Sequence, residues 1–354
     1  NTLGRHGIPA AVFVIGLAIS AYAYLDRAAR TEAEQRSQLE DAAQSYEFLL
    51  RHRLEQYVSA NRALGAFFSA SNAIQPREFD NYIRASQVFG RLQGISSFGY
   101  LPKVPAAQAD RFEAEAARLF PGFRITQRRD GVAAYFPLLY ARHAADPARI
   151  TQLRGFDYSA IPDRWAAMRE ADARDEPVAT TVHTALRDPG QRRVVLIFSP
   201  VRRPMPEAGQ HGNLDGFIFS TVYVDPLFRN FDNGRLAQYF DLEVFENKVS
   251  RENLIFDGDR AAHVLETDST HALAHRAEVQ FANRKWLIFF YAHKDSLQPA
   301  STRQGMLLFA IGLLLSLIAS YAAAGWSRHA SRKRAMLDFK DRFGGFFENH
   351  PFAV

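Results

Sequence analysis

The residues with the most chemical scope in this chain are arginines, aromatics and a few histidines. Asp157 and Arg164 flank Pro162, a residue that opens helices at their first positions. Either could touch a ligand; the spacing favours a structural role, as a helix cap or an ion pair at the helix N-terminus. Arg169 falls one turn further along the same segment. Pointing inward it would call for a carboxylate or phosphate; pointing outward it is an ordinary solvated helix arginine. Phe123, Tyr135, Thr180, Phe198 and Phe219 fall on predicted strands. An apolar lining with a few polar groups is what a small-molecule pocket needs, although each residue has an equally good reading as plain core.

Other chemistries find no set of residues to carry them. His263, His271 and His275 lie close in sequence, the last two at helical spacing, but no acidic third ligand stands nearby and His-Glu-x-x-His is absent. No metal or other cofactor is expected. With no cysteine there is no disulfide, thiolate site or cysteine nucleophile. There is no Gly-x-Ser-x-Gly elbow and no phosphate-binding loop, so the expectation is a non-enzymatic chain.

Two apolar segments frame these residues. Residues 8–25 are uncharged over about 18 positions, near the minimum for crossing a bilayer, and Tyr22 and Tyr24 suit its interface. Residues 306–326 form a second uncharged run ending at Trp326. Arg328, Arg332, Lys333 and Arg334 follow at once, which by the positive-inside rule places them in the cytoplasm. Residues 1–7 are then cytoplasmic too, and the long segment between the spans lies outside. The net charge of +5 is densest at this cluster, which fits membrane topology better than nucleic acid.

Residues 26–75 read as a stalk helix. Leu39, Ala43, Tyr46, Leu50, Arg53, Tyr57, Ala60, Leu64 and Phe67 recur on alternating three- and four-residue steps. That stripe predicts either a homodimer seam, with Leu50, Tyr57 and Leu64 facing a partner, or a helix packed on its own domain. Residues 76–229 mix helices with strands at 94–101, 123–127, 133–140, 178–185, 194–200 and 216–224, plus helices at 106–120 and 162–173. Residues 230–300 form a smaller unit with strands at 242–245, 253–256, 277–281 and 286–292, the last two joined by a turn at Asn283-Arg284-Lys285. The fold class is α+β, with antiparallel sheets and flanking helices.

A series of runs stands in order along the chain: Ala63-Leu64-Gly65-Ala66-Phe67-Phe68, Gly94-Ile95 through Tyr100-Leu101-Pro102-Lys103-Val104, Pro121-Gly122-Phe123-Arg124-Ile125 and Tyr135-Phe136-Pro137. Gly155-Phe156-Asp157, Arg164, Phe198-Ser199-Pro200-Val201, Gly216-Phe217 and Asp225 continue it. Together these runs resemble a CHASE domain. The resemblance implies an extracytoplasmic ligand sensor: a stalk helix, a membrane-distal PAS-like subdomain holding the ligand, a membrane-proximal PAS-like subdomain, and a homodimer. It places Phe123, Tyr135, Arg164, Arg169, Thr180, Phe198 and Phe219 about the distal pocket. The acidic residue with which the family's cytokinin receptors read adenine is replaced by Ala133, so cytokinin is not expected; a small organic molecule is, with an anion as the secondary expectation. Residues 327–354 read as a linker ending in a stretch, Phe346 to Val354, similar to the start of a cytoplasmic PAS module. The chain, which begins at Asn1, is expected to be part of a longer inner-membrane receptor, a histidine kinase or diguanylate cyclase, with its large domain in the periplasm. The competing reading is a membrane-anchored domain that binds a protein partner.

Overall fold

The computed structural model describes residues 3–71, 74–203, 212–229, 239–261, 263–265, 271–293 and 301–348. Helix α1 spans Leu3–Ser69. The chain divides into two compact units, one of residues 1–38 with 297–354 and one of residues 39–296.

In the first unit, α1 meets the last helix, Ser301–Glu348. Both are long and apolar enough to cross a membrane, over Gly7–Arg27 and Gly305–Ala330. Small residues set their approach: Ser20 faces Gly312, and Ser316 faces Gly16. Ser320 Oγ donates to the carbonyl of Pro9 at 2.9 Å, and Tyr24 meets Phe309 edge-on at 6.0 Å. Close backbone approach through small residues, with hydroxyls satisfied inside the pair, is how helices associate in lipid.

The second unit opens with the remainder of α1, then α2 (Pro76–Ser86), α3 (Val88–Arg91), β1 (Ile95–Pro102), β2 (Val104–Pro105) and α4 (Ala109–Leu119). There follow β3 (Ala134–Tyr135), β4 (Tyr140–His143), α5 (Pro147–Leu153), a 3-10 turn at Tyr158–Ala160 and α6 (Pro162–Arg174). The strands β5 (Val178–Ala179), β6 (His183–Thr184), β7 (Arg193–Arg202) and β8 (Leu214–Tyr223) and the helix α7 (Val224–Arg229) complete the first lobe. Its antiparallel sheet runs β4-β1-β8-β7-β5, with β6 pairing β7 further along. The second lobe is a four-stranded antiparallel sheet, β10-β9-β12-β11, built from β9 (Phe240–Glu246), β10 (Leu254–Asp257), β11 (His271–Phe281) and β12 (Arg284–His293).

The two long central strands are buried on both faces. Val195, Ile197, Ile218 and Val222 join the cluster that includes Leu50, Leu54, Tyr57 and Leu64 of α1. Val194, Leu196, Phe198, Phe217 and Phe219 join the cluster under α6. Buried Asn61 of α1 donates to the carbonyl of Ile197 at 2.7 Å, and the Tyr57 hydroxyl donates to that of Gln93. The heptad-like stripe is thus spent inside the chain. Leu50 and Tyr57 are fully buried against the protein's own sheet, which corrects the expectation that they face a partner.

Other expectations are trimmed. Residues 123–127 form no strand beyond a single bridge from Thr126 to Phe156, because Glu113 and its arginines occupy the segment: Ile125 N donates to Glu113 Oε1 at 2.7 Å. The 133–140 and 178–185 stretches each shrink to two-residue pieces or break into separate strands. The last hairpin turns on Ala282-Asn283, since Phe281 already pairs with Arg284. Helix α5 was not expected. The boundary drawn at residue 230 and the stretch 349–354 lie outside the described residues.

One polar network fastens α5 to the sheet. Arg149 Nη1 donates to Asp188 Oδ1 at 2.8 Å and to the Tyr223 hydroxyl at 3.2 Å, while Nη2 donates to the carbonyl of Leu186 at 2.7 Å. Arg192 closes on the same carboxylate from its backbone and side chain and lies 4.0 Å over the Tyr223 ring. These hydrogen bonds, those from Arg192 foremost, hold the Asp188 carboxyl far below the usual carboxylate range. A carboxyl lowered by folding adds stability above its unfolded pKa, about 3.9, and gives it up as pH falls toward the folded value. Asp188→Asn is therefore expected to cost about 3 kcal/mol at neutral pH, by leaving buried Arg149 without its counter-charge. Thermal unfolding of the detergent-solubilised chain should show the gap from wild type narrowing below about pH 4; a gap constant with pH would contradict this role.

Candidate functional site

The face of the first sheet that α5, the 3-10 turn and α6 cover is where the chemistry gathers. Phe198 and Phe219 lie 6.3 Å apart on it, and the Tyr158 ring sits tilted against Phe219 at 4.8 Å. Gly99 of β1 makes the room: a Cβ there would sit 2.4 Å from the Phe219 ring and 2.8 Å from the carbonyl of Tyr140. Phe219 therefore occupies space that any side chain at 99 would take from it.

Asp157 sets the 3-10 turn. Its Oδ1 accepts from the backbone of Phe136 at 2.9 Å and of Ser159 at 3.1 Å, and its Oδ2 accepts from Arg129 at 3.0 Å. It is a capping residue, fully buried, and its ionic partner is Arg129, not Arg164. The turn presents Tyr158 downward, and Pro162 then starts α6, one turn of which carries Arg164 back over the ring. The Arg164 guanidinium lies 4.6 Å over Tyr158, an arrangement attractive for a cation.

Arg164 is 3% exposed, and among the described residues no carboxylate lies within ion-pair distance of it. Its Nε and Nη1 meet no acceptor. Burial lowers its pKa, and likewise lowers that of the nearby His183. A second donor stands without an acceptor close by. His143 Nδ1 accepts from the backbone of Ala145 at 3.2 Å and of Asp146 at 2.9 Å, so the ring proton belongs on Nε2, which is buried and unpartnered. Burial, followed by the charge on Arg149, lowers the His143 pKa and keeps the ring neutral.

Arg164 and His143 line one small cavity of about 30 Å³, with Tyr158, Phe219, Ser97 and Thr221. It has room for a water molecule or two and no more. Beside it a surface groove of about 420 Å³ runs past Gly94, Asp146 and Arg192. Groove and cavity share Ser96, His143 and Arg149. Donors without acceptors at the inner end of an open groove are suited to an acceptor-rich group, a carboxylate or a phosphate.

Of the expected site residues, the structure brings Arg164 and Phe219 to the cavity and Phe198 to the ring behind it. It does not bring the other four. Arg169 is exposed and reaches no nearer than 5.7 Å over Trp165, because α6 turns it to solvent. Thr180 is buried, but its hydroxyl accepts from the backbone of Leu196 at 3.0 Å and so completes the sheet. Phe123 packs on Phe112 of α4, and the Tyr135 hydroxyl donates to the carbonyl of Arg129 at 2.8 Å. Both belong to the other core cluster. Ala133 is exposed and pairs through its carbonyl with Ala106. His143, Tyr158 and Arg149 went unnoticed in the sequence. Tyr158 directly follows the Gly155-Phe156-Asp157 run, which was a usable signal; nothing local marks His143. Of the histidines, His275 meets Glu47 of α1 at 2.6 Å, while His263 meets Asp259.

No match was found among curated proteins. Among solved structures, the ligand-binding domain of the Pseudomonas aeruginosa PAO1 amino acid chemoreceptor PctC in complex with GABA is 13% identical. The alignment covers 71% of this chain and 99% of that one, with a TM-score of 0.42. A methyl-accepting chemotaxis protein X is 12% identical over 74% of this chain and 98% of its own, also at 0.42. The P. aeruginosa PAO1 chemoreceptor PctB in complex with L-Arg is 11% identical over 76% and 95%, at 0.31. The family model of the CHASE domain matches residues 72–256, from the end of α1 into the second sheet. That match spans just over half of the chain, and with the sheet, its cover and the groove in place, the chain belongs to the CHASE domain family as a ligand-sensing receptor domain.

Proposed function

We propose that the groove and cavity beside Arg164 form the sensing site, and that the ligand is a small molecule presenting an anionic group to Arg164 and His143. The observation that carries this reading is the buried guanidinium with two nitrogens lacking acceptors. Burying a cation without a partner costs several kcal/mol, and an anionic ligand offsets that cost when it binds. The cavity as it stands is too small for such a group, so binding must lift the cover of α5, the 3-10 turn and α6 from the sheet.

That movement has an outlet. Glu170, on the helix that carries Arg164, accepts from Asn283 Nδ2 at 2.9 Å at the tip of the β11–β12 hairpin. The same asparagine accepts from Ala179 N, and Arg284 donates to the Ala179 carbonyl at 2.8 Å. A shift of α6 is thereby felt by the hairpin whose second strand precedes the last helix in the chain. The family and the two candidate spans support a membrane receptor with an extracytoplasmic domain. We place that domain in the periplasm of a cell with an inner membrane, and we place a dimer contact on the outer face of α1, where Phe48 is 71% exposed.

Three outcomes test these statements. In calorimetry of the full chain in detergent against hits from a screen of metabolic carboxylates and phosphates, Arg164→Met should weaken binding by about 2 kcal/mol or more. Arg169→Ala should change it by less than about 0.5 kcal/mol, and isopentenyladenine should not saturate. Hits that bind Arg164→Met as well as wild type would place the site elsewhere. Because a buried charge is removed, Arg164→Met should also melt no lower than wild type without ligand. For the dimer, cysteines at Phe48, Glu55 and Arg62 should cross-link between subunits in membranes, and cysteines at Leu50, Tyr57 and Leu64 should not; the reverse pattern would restore the buried stripe as the seam. For topology, alkaline phosphatase fused after Asp225 should be active and after Lys340 inactive; equal activity would refute the two-span arrangement.

A further inference from the structure

The second lobe carries a cluster of ligating groups that sensing does not use. Asp241 lies on β9, 4% exposed, and its Oδ2 meets no hydrogen-bond partner. Asp259 stands in the turn after β10, and His263 a few residues on. One ligating atom from each of the three lies within 4.8 Å of the other two. His263 Nε2 is 3.2 Å from Asp259 Oδ2 and 3.8 Å from Asp241 Oδ2. Ligands bonded tetrahedrally at roughly 2.0–2.2 Å lie roughly 3.3–3.6 Å from one another, and the two separations straddle that range.

The backbone aims these groups. Ala261 N donates to Asp259 Oδ1 at 2.8 Å, leaving Oδ2 for the cluster. Glu243 accepts from the backbone of His263 and, at 3.3 Å, of Val264, so it holds the turn that carries the imidazole. Gly258 lets the turn close over Asp241; a Cβ there would sit 2.3 Å from Asp241 Oδ1. No arginine or lysine among the described residues pairs with Asp241 or Asp259. Arg229 reaches this turn only at the carbonyl of Gly258, 2.9 Å away, with its Nε committed to Asp225. Two carboxylates, one of them buried, share a single imidazole, an arrangement that a divalent cation would neutralise.

We propose that Asp241, Asp259 and His263 bind one divalent transition-metal ion of the zinc or manganese class, which clamps the turn after β10 onto β9. One imidazole and two carboxylates suit these ions, and three protein ligands leave a position for water. The sequence hides the set because Asp241 comes from another strand and its partners sit in a turn rather than on a helix.

The test uses the full chain in detergent, stripped with a chelator and titrated with Zn²⁺, Mn²⁺ and Ca²⁺ by calorimetry and thermal melting. Saturable binding of Zn²⁺ or Mn²⁺ at one equivalent per chain is expected, with a melting temperature higher by several degrees. Asp259→Asn, at an exposed position that tolerates the change, and His263→Gln should each weaken binding at least tenfold and abolish the visible absorption of bound Co²⁺. His52→Gln, on the exposed face of α1, should alter neither. In the metal-free chain Asp241→Asn should melt no lower than wild type, and it should show no rise with Zn²⁺. Absence of saturable binding, binding indifferent to Asp259→Asn and His263→Gln, or saturation by Ca²⁺ alone would each overturn the proposal.

Discussion

Arg164 is held out of water over the ring of Tyr158, with no carboxylate among the described residues within ion-pair distance. Much of the first lobe can be understood from what that position demands. Asp157 is spent on backbone N–H groups and Arg129, which fixes the turn that presents Tyr158. Phe219 fits beneath because Gly99 has no side chain. The other buried arginine, Arg149, is treated in the opposite way. It is matched by Asp188, which Arg192 also shares, so it fastens α5 without asking for a ligand. Two buried cations lie within one layer, one compensated and one not; in the proposed reading the first holds the cover and the second meets the ligand.

The same sheet explains how sensing would leave the lobe. Its outer face is fused to α1 through Asn61 and a continuous apolar cluster, so α1 and the sheet act as the fixed frame. The cover packs on the other face through the apolar cluster under α6, encloses the small cavity beside Arg164, and touches the second lobe at Glu170 and Asn283. A ligand that separates cover from sheet would work against the apolar cluster under α6 and the Arg149 network on one side and would pull on the β11–β12 hairpin on the other. The free energy available for such a movement is the ligand's difference in affinity between the two arrangements, to which, in the proposed reading, the Arg164 charge contributes.

Much of this was legible in the sequence, for identifiable reasons. The spans, the stalk helix and the long central strands carry strong local patterns, and β7, β8 and α6 fall within a few residues of where those patterns put them. The α+β class follows from them. What the pattern could not give was direction. Leu50, Tyr57 and Leu64 have the same spacing whether a helix meets a partner or its own sheet, and here the sheet takes them. Arg164 and Arg169 look alike in sequence, and only the rotation of α6 sends one inward and the other to solvent. Thr180 and Tyr135 look like pocket groups until their hydroxyls are seen to be occupied by backbone. His143 gains its meaning from two backbone N–H groups that no motif announces.

If a ligand's anionic group replaces the counter-ion that Arg164 lacks, a crystal structure of the outer region with a screened ligand bound will place a carboxylate or phosphate oxygen about 3 Å from the Arg164 guanidinium, with His143 Nε2 donating to the same group and the cover displaced from Phe219. A ligand bound away from Arg164, for instance along the β2–β3 edge near Tyr135, with the guanidinium still over Tyr158 and the cavity closed, would contradict it.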